Sequence, residues 1–192
     1  MKFRSLLQRG ASILTLAVLV GGTLLFAPAA GAQEAPAGTP DSTTSDKIPG
    51  ALAVGAGKTT LTAENFPDEW VDDTVRVGLA AYMSSDQSAS GIFSITHREP
   101  TGDLLADVRG YIECMRTEGE YAVTIGRITH VEKSPEAEVS EGDVAAIIVQ
   151  DGGSSGDTMF WVFGEEDEEV DCDAIPAQTA VTVEQGNFVV LD

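Results

Sequence analysis

The sequence predicts an all-β domain, an antiparallel meander of about eight strands closed into a small barrel or folded into a β-sandwich. From Thr74 onward, short segments rich in Val, Ile and aromatic residues alternate with clusters of Gly, Ser, Asp and Pro. Helical periodicity is nearly absent, and closure favours the barrel because it removes exposed strand edges. The predicted strands are residues 74–83, 91–97, 104–116, 120–132, 143–150, 158–163, 180–184 and 187–191.

The third predicted strand shows the alternation of a half-buried antiparallel strand. Ala106, Val108 and Cys114 fall on one face, whereas Asp107 and Arg109 fall on the other. We therefore place Cys114 on the inward face.

A tight connection at residues 117–120 predicts a hairpin between the third and fourth strands. Gly126 shifts the apolar phase of the fourth strand and predicts a bulge there. Residues 144–149 are apolar on both faces and residues 159–163 are rich in aromatics, so these two strands should be central.

The first 32 residues are interpreted as a secretory signal peptide. Lys2, Arg4 and Arg9 precede an uncharged apolar run over residues 11–26, and small residues lead to a cleavage site after Ala32. The run is short for a membrane span, which needs about 20 residues. The sequence therefore predicts a secreted protein without stable membrane insertion after cleavage.

The chain is strongly acidic. It has 192 residues, with 31 acidic and 11 basic side chains. Removing the three basic residues of the signal peptide changes the formal net charge from −20 to −23. Such a charge keeps a protein soluble and disfavours nucleic acid as a partner, because that affinity depends on Lys and Arg at phosphates.

Residues 33–73 are predicted to be a flexible linker with a short aromatic segment, which leaves residues 74–192 for the β domain. The stretch 33–60 is rich in Ala, Pro, Gly, Ser and Thr and has no aromatic residue. Phe66 and Trp70 follow, with Pro67 interrupting any helix. Two interpretations stay open for them: a turn that packs on the domain, or a short partner-binding motif.

Cys114 and Cys172 are the two cysteines of the chain. An even number of cysteines in an exported protein predicts a disulfide, and two inert thiols are the alternative. Thiol catalysis is disfavoured because Glu168, Glu169 and Asp171 near Cys172 would raise its pKa.

Two glycine motifs resemble catalytic signatures but lack their context. Residues 55–59 end like a phosphate-binding loop, yet the first required glycine falls at Leu52. Residues 152–156 match the spacing of a hydrolase elbow around Ser154, yet a strand rather than a helix is predicted next. Both are interpreted as ordinary strand or loop sequence, and no catalytic residue is assigned.

The strongest local feature is an acidic loop with seven carboxylates between residues 165 and 173. Asp167, Glu169, Asp171 and Asp173 recur at every second position, as oxygen ligands do in a calcium loop. The expected glycine position of that loop holds Cys172. Three interpretations stay open: specific calcium binding at these four residues, weak diffuse binding of cations, and a solvated acidic loop.

His97 and His130 are the only histidines. They could approach each other across a sheet, but no local spacing supplies further metal ligands. Solvent-facing or hydrogen-bonded side chains are the favoured interpretation.

The stretch 91–192 contains a Gly-x-Phe strand opening at Gly91, a second cysteine and four short strand or turn motifs. The motifs are Gly-Tyr-Ile-Glu-Cys-Met at 110–115, Ala-Val-Thr-Ile-Gly-Arg-Ile at 122–128, Val-Gln-Asp-Gly-Gly at 149–153 and Gly-Asn-Phe-Val-Val at 186–190. With these features the stretch resembles a family of small exported all-β bacterial proteins of uncharacterised function. The resemblance covers about half of the chain, implies the β fold and export, and transfers no catalytic residue.

These observations favour a non-enzymatic binding or surface-associated β domain, with an extracellular protein or a cell-wall component as partner. A calcium-dependent module that uses the acidic loop is the first alternative. An extracellular hydrolase is the second, and it would require Ser154 or a carboxylate pair to meet His97 or His130 in a cleft.

Overall fold

The computed structural model describes residues 50–133, 135, 137–166 and 170–192, which form a nine-stranded antiparallel sheet. The all-β prediction is confirmed. Within these residues, the helical segments are three short 3-10 turns, Asp68–Trp70, Gly153–Ser155 and Cys172–Ala174. The described part contains no helix with the length and apolar character of a membrane span. The strands are β1 Gly50–Thr60, β2 Thr74–Ser84, β3 Ala89–Arg98, β4 Leu104–Glu118, β5 Tyr121–Lys133, β6 Val144–Gln150, β7 Thr158–Gly164, β8 Val181–Thr182 and β9 Gln185–Leu191.

The sheet is a meander that curls into a half-barrel. Neighbours follow chain order from β1 to β8, and β9 then pairs with β1 on the far side. Only Val183 and Glu184 separate β8 from β9. One C-terminal segment therefore pairs first with β7 and then with β1, so the two outer members of the sheet are consecutive in the chain.

The main core lies on one face of the curled sheet, which we call the inner face. Strands β1, β2 and β3 alternate between more and less buried positions, so that their period-two apolar residues meet there. Strand β6 is buried on both sides, as predicted. The largest fully buried side chains of the described residues include Phe188, Leu61, Ile95, Ile128, Ile147, Ile148 and Met159.

Strand β1 corrects the linker prediction, which is wrong for residues 50–60. This segment pairs with β2 along its whole length and with β9 over residues 52–58. Its inward residues are small because space is short: a Cβ on Gly57 would lie 2.8 Å from the Phe188 ring. The composition that suggested a tether is the composition of a tightly packed strand. Residues 33–49 lie outside the described part.

The aromatic segment after β1 packs on the domain. The Phe66 ring stacks on Trp161 of β7 with centroids 5.7 Å apart, and Trp70 lies 6.3 Å from Phe66. Both side chains lie against the main core. This arrangement agrees with the turn interpretation of residues 61–73.

The β4–β5 hairpin forms as predicted, but its irregularity changes the position of Cys114. Ile112 pairs with Gly126 and Cys114 pairs with Ile125, so Glu113 is an extra residue in β4 opposite Gly126. The extra residue reverses the alternation, and Met115 joins the main core. The prediction that Cys114 faces inward is therefore wrong. It lies on the outer face, in a second small cluster with Ile125 and Cys172.

Candidate functional site

An open groove crosses the outer face of strands β1 to β4, with a volume of about 350 Å³. Three of its side chains are cationic, two carry hydroxyl groups and one is a carboxylate. The described part has seven Lys and Arg residues in total, so this is a local concentration of positive charge on an acidic protein. The lining residues are Lys58, Thr74, Val75, Arg76, Thr96, Arg98 and Asp107.

Strand register brings these side chains together. Lys58 of β1 is paired with Arg76 of β2, which is paired with Thr96 of β3. Thr96 is in turn paired with Asp107 of β4. Directly paired residues point to the same side of a sheet, so the row forms one continuous strip. Each cation comes from a different strand, because Arg98 belongs to β3.

The three cationic side chains differ in the hydrogen bonds and ion pairs that they make. Arg98 Nη1 donates to the Gly102 carbonyl at 2.9 Å. Neither the Lys58 nor the Arg76 side chain has a hydrogen bond or an ion pair with another described residue. Two donors on adjacent strands are therefore free to bind an anion in the groove.

Asp107 sets the acidic border of the groove. Its Oδ2 accepts from Arg109 Nη2 at 3.0 Å, and this carboxylate raises the pKa of Arg109. Its Oδ1 is buried without a hydrogen-bond donor. Unsatisfied buried oxygens are uncommon because they cost free energy.

Sequence reasoning missed the groove, although it examined one of its residues. Residues 55–59 are extended within β1, so the backbone cradle of a phosphate-binding loop is absent from them. Lys58, the lysine of that motif, nevertheless lies in the groove. The signal that would have found the site is the strand register, which groups cations that are distant in sequence.

A second polar arrangement is the buried pair formed by His97 and Asp73. His97 Nε2 lies 2.7 Å from Asp73 Oδ2, and the two side chains are 13% and 4% exposed. Trp70 meets the imidazole edge-on at 5.6 Å. Burial lowers the pKa of His97, and the hydrogen bond and charge of Asp73 act in the opposite direction. The hydrogen bond of this pair therefore links the segment between β1 and β2 to strand β3.

This pair predicts that His97 makes stability depend on pH. The pKa of His97 in the folded state lies below its ordinary value of 6.5, so the unfolded chain binds more protons between the two values. The contribution of His97 is fully present above pH 6.5 and is lost as the pH falls toward the folded pKa. The loss is at most about 1.4 kcal/mol per pH unit.

Urea unfolding of the natural protein and of His97→Gln, near neutral pH and near pH 5, measures this effect. The natural protein should lose more stability on acidification than the variant, which cannot titrate at this position. Protonation of surface carboxylates relieves self-repulsion in both proteins and cancels in the comparison. Parallel pH dependence of the two proteins would contradict the prediction.

The hydrolase alternative finds little geometric support. Ser154 lies in the 3-10 turn Gly153–Ser155, and strand β7 follows, whereas a nucleophile elbow leads into a helix. The imidazole of His97 is bonded to Asp73. Among the described residues, no hydrogen bond joins Ser154 to His97 or His130.

The predicted calcium ligands are only partly described. Asp167 and Glu169 lie outside the described residues. Asp171 caps the turn Cys172–Ala174, because its Oδ1 accepts from the Asp173 amide at 2.9 Å. Within the described ranges, no group of three His, Cys, Asp or Glu side chains is arranged to hold a metal ion. Calcium binding by the complete loop stays a prediction.

The two cysteines lie at bonding distance, with sulfur atoms 2.12 Å apart. Cys172 is buried in the second cluster, against Ile125, Val144 and Ala146. The pair holds the segment after β7 against the outer face of strands β4 to β6. Both sulfur atoms are used in this bond, so neither cysteine is a free thiol.

In comparisons with known proteins, no family model, no curated protein and no solved structure matches the chain.

Proposed function

We propose that the protein is a non-enzymatic binding module whose ligand is a small anion held in the groove of strands β1 to β4. The observation that carries the proposal is the pairing of Lys58 with Arg76 on adjacent strands, with neither side chain bonded to another described residue. Like charges placed directly opposite each other in a sheet are destabilising unless an anion or solvent compensates them. An anionic ligand would relieve this repulsion.

The other lining residues suit the same ligand. Arg98 adds a third positive charge, and the hydroxyl groups of Thr74 and Thr96 can donate to anionic oxygens. Guanidinium groups match carboxylate and phosphate geometry because they donate two parallel hydrogen bonds. The overall negative charge does not prevent binding, since charges beyond about 8 Å are largely screened at physiological salt.

We further propose that the protein is exported. The basic, apolar and small-residue pattern of residues 1–32 is typical of a signal peptide. A cysteine pair at bonding distance is compatible with an oxidising compartment, where disulfides persist. The corresponding ligand would be an extracellular anion, either free or part of a cell-wall component.

Titration with inorganic phosphate, followed by amide chemical shifts at low ionic strength, tests the proposal. We expect shifts around the groove and an affinity that falls as sodium chloride is added. Lys58→Gln and Arg76→Gln should each weaken binding about five- to tenfold, which corresponds to about 1 to 1.4 kcal/mol. Lys133→Gln is the matched control, because it removes the same charge at a site outside the groove.

Asp107→Asn should have the opposite effect on phosphate affinity. The substitution removes the negative charge at the border of the groove and releases Arg109 from its ion pair. We expect binding to strengthen several-fold. Equal affinity of the natural protein, Lys58→Gln and Lys133→Gln, or the absence of any phosphate binding, would refute the proposed function.

A further inference from the structure

All exposed large apolar side chains of the described part lie on one face of the sheet. We call these six residues the outer apolar band. Ile92 is 67% exposed and Tyr111 is 44% exposed, which is unusual for residues in the middle of long strands. Contiguous exposed apolar surface of this kind marks an interaction site. The band consists of Val54, Tyr82, Ile92, Tyr111, Val189 and Leu191.

Strand register makes the band continuous. Val54 is paired with Val189 on β9 and with Ala80 on β2. Ala80 is paired with Ile92, which is paired with Tyr111 on β4. The band therefore crosses five adjacent strands on the same outer face as the groove.

The band and the groove are joined by a strip of small residues. Along β1 the outer face presents Val54, then Ala56, then Lys58, and along β2 Ala80 is followed in the same way by Gly78 and Arg76. Lys58 lies four positions along the extended chain from Val54, which is a distance of about 13 Å. Gly78 has no side chain and Ala56 has only a methyl group, so an extended ligand can lie across them beside Ser94, whose Oγ would lie 2.8 Å from a Cβ at Gly78.

We propose that the ligand is an amphiphilic anion with one negatively charged head group and one alkyl or acyl chain. The head group lies between Lys58 and Arg76, and the chain crosses Ala56 and Gly78 to the outer apolar band. This inference rests on the proposed function, because the anion site binds the head group. It assigns the band a role that anion binding alone does not require.

The net negative charge of the protein favours a single amphiphilic anion over an anionic membrane surface. A single amphiphile meets only the local positive charge, whereas an anionic bilayer also faces the remaining surface of a chain with a net charge of −20 or below. The observations therefore favour one small ligand over a membrane surface.

Calorimetric titration with inorganic phosphate, butyl phosphate and monomeric dodecyl phosphate tests the inference on the full chain. Affinity should rise with chain length, and dodecyl phosphate should bind at least tenfold more tightly than inorganic phosphate. The double variant Val54→Ser with Ile92→Ser should reduce dodecyl phosphate affinity at least fivefold and leave inorganic phosphate affinity unchanged. Both positions are exposed, and thermal unfolding of the double variant verifies that it folds.

The outcomes separate the two proposals. If inorganic phosphate binds and chain length has no effect, the amphiphile inference is overturned and the proposed function stands. The same follows if the serine double variant binds all three phosphates like the natural protein. Binding to phosphatidylglycerol vesicles without binding to monomeric dodecyl phosphate, or a dimer in sedimentation measurements that hides the band, also overturns it. If no phosphate compound binds, the proposed function fails as well.

Discussion

Loss of the Cys114–Cys172 disulfide is expected to lower the free energy of unfolding by about 4 kcal/mol. The two cysteines are 58 residues apart, so the bond closes a long loop in the unfolded chain. Closing this loop reduces the conformational entropy of the unfolded chain. A domain of this size has a total stability of about 5 to 15 kcal/mol. The loss is therefore a large fraction of the whole.

Denaturant unfolding with and without a reducing agent measures this effect. The double variant Cys114→Ala with Cys172→Ala should unfold at a lower denaturant concentration than the natural protein and should not respond to the reductant. The natural protein under reducing conditions should approach the variant. If the reductant leaves the unfolding curve of the natural protein unchanged while free thiols are released, the prediction is wrong.

The reduced protein should keep its sheet, because Arg116 fastens the same segment independently. Its Nε donates to the Cys172 carbonyl at 2.9 Å, and its Nη2 donates to the Ile175 carbonyl at 2.6 Å. These charge-assisted bonds persist when the sulfur bridge is cut. We therefore expect far-ultraviolet circular dichroism of the reduced, folded protein to be unchanged.

The strand positions after Thr74 were predictable because each strand carries its own local signal. Alternation, β-branched residues and turn residues are properties of neighbouring positions, and they place β2 to β7 within a few residues of their observed limits. Strand β1 was missed because its signal is not local. Two of its glycines, Gly55 and Gly57, are explained by Asn187 and Phe188, which approach β1 from the other end of the chain.

The face of Cys114 shows a second limit of sequence reasoning. Strict alternation places Cys114 with Ile112, and one extra residue at Glu113 reverses that assignment. The bulge sits where Gly126 and Gly110 leave room for the Phe93 ring, which would lie within 2.8 Å of a Cβ at either position. Gly126 pointed to an irregularity, but only the pairing shows which strand carries the extra residue.

The candidate site was the least predictable part of the molecule. Lys58, Arg76 and Arg98 are separated by many positions, and no spacing rule connects them. They become neighbours through the register of three strands, one of which was not recognised as a strand. The same holds for the outer apolar band, since Val189 and Val54 meet only through the β1–β9 pairing.

The second large effect is expected at Asp157, which joins the loop after β6 to strand β9. The residue is only 5% exposed. Its Oδ1 accepts from the Gly152 amide at 3.1 Å, and its Oδ2 accepts from the buried Phe188 amide at 2.5 Å. Its main-chain carbonyl also accepts from Val183 at 2.9 Å. The carboxylate thus joins the loop after β6 to β9, and the main-chain carbonyl holds the connection between β8 and β9.

Asp157→Ala should lower the free energy of unfolding by about 3 kcal/mol, because it leaves two amide donors without an acceptor and one of them is buried. Asp157→Asn should cost nearly as much despite its equal size. The amide side chain offers one acceptor oxygen and places an NH₂ group opposite the second N–H.

Asp151→Asn is the matched control and should cost less than about 1 kcal/mol, since its bonds to Gly153 and Val190 are long and partly exposed. Urea unfolding of the three variants measures these free energies. If Asp157→Asn has only a mild effect, similar to that of the control, then β9 does not need both carboxylate oxygens as acceptors.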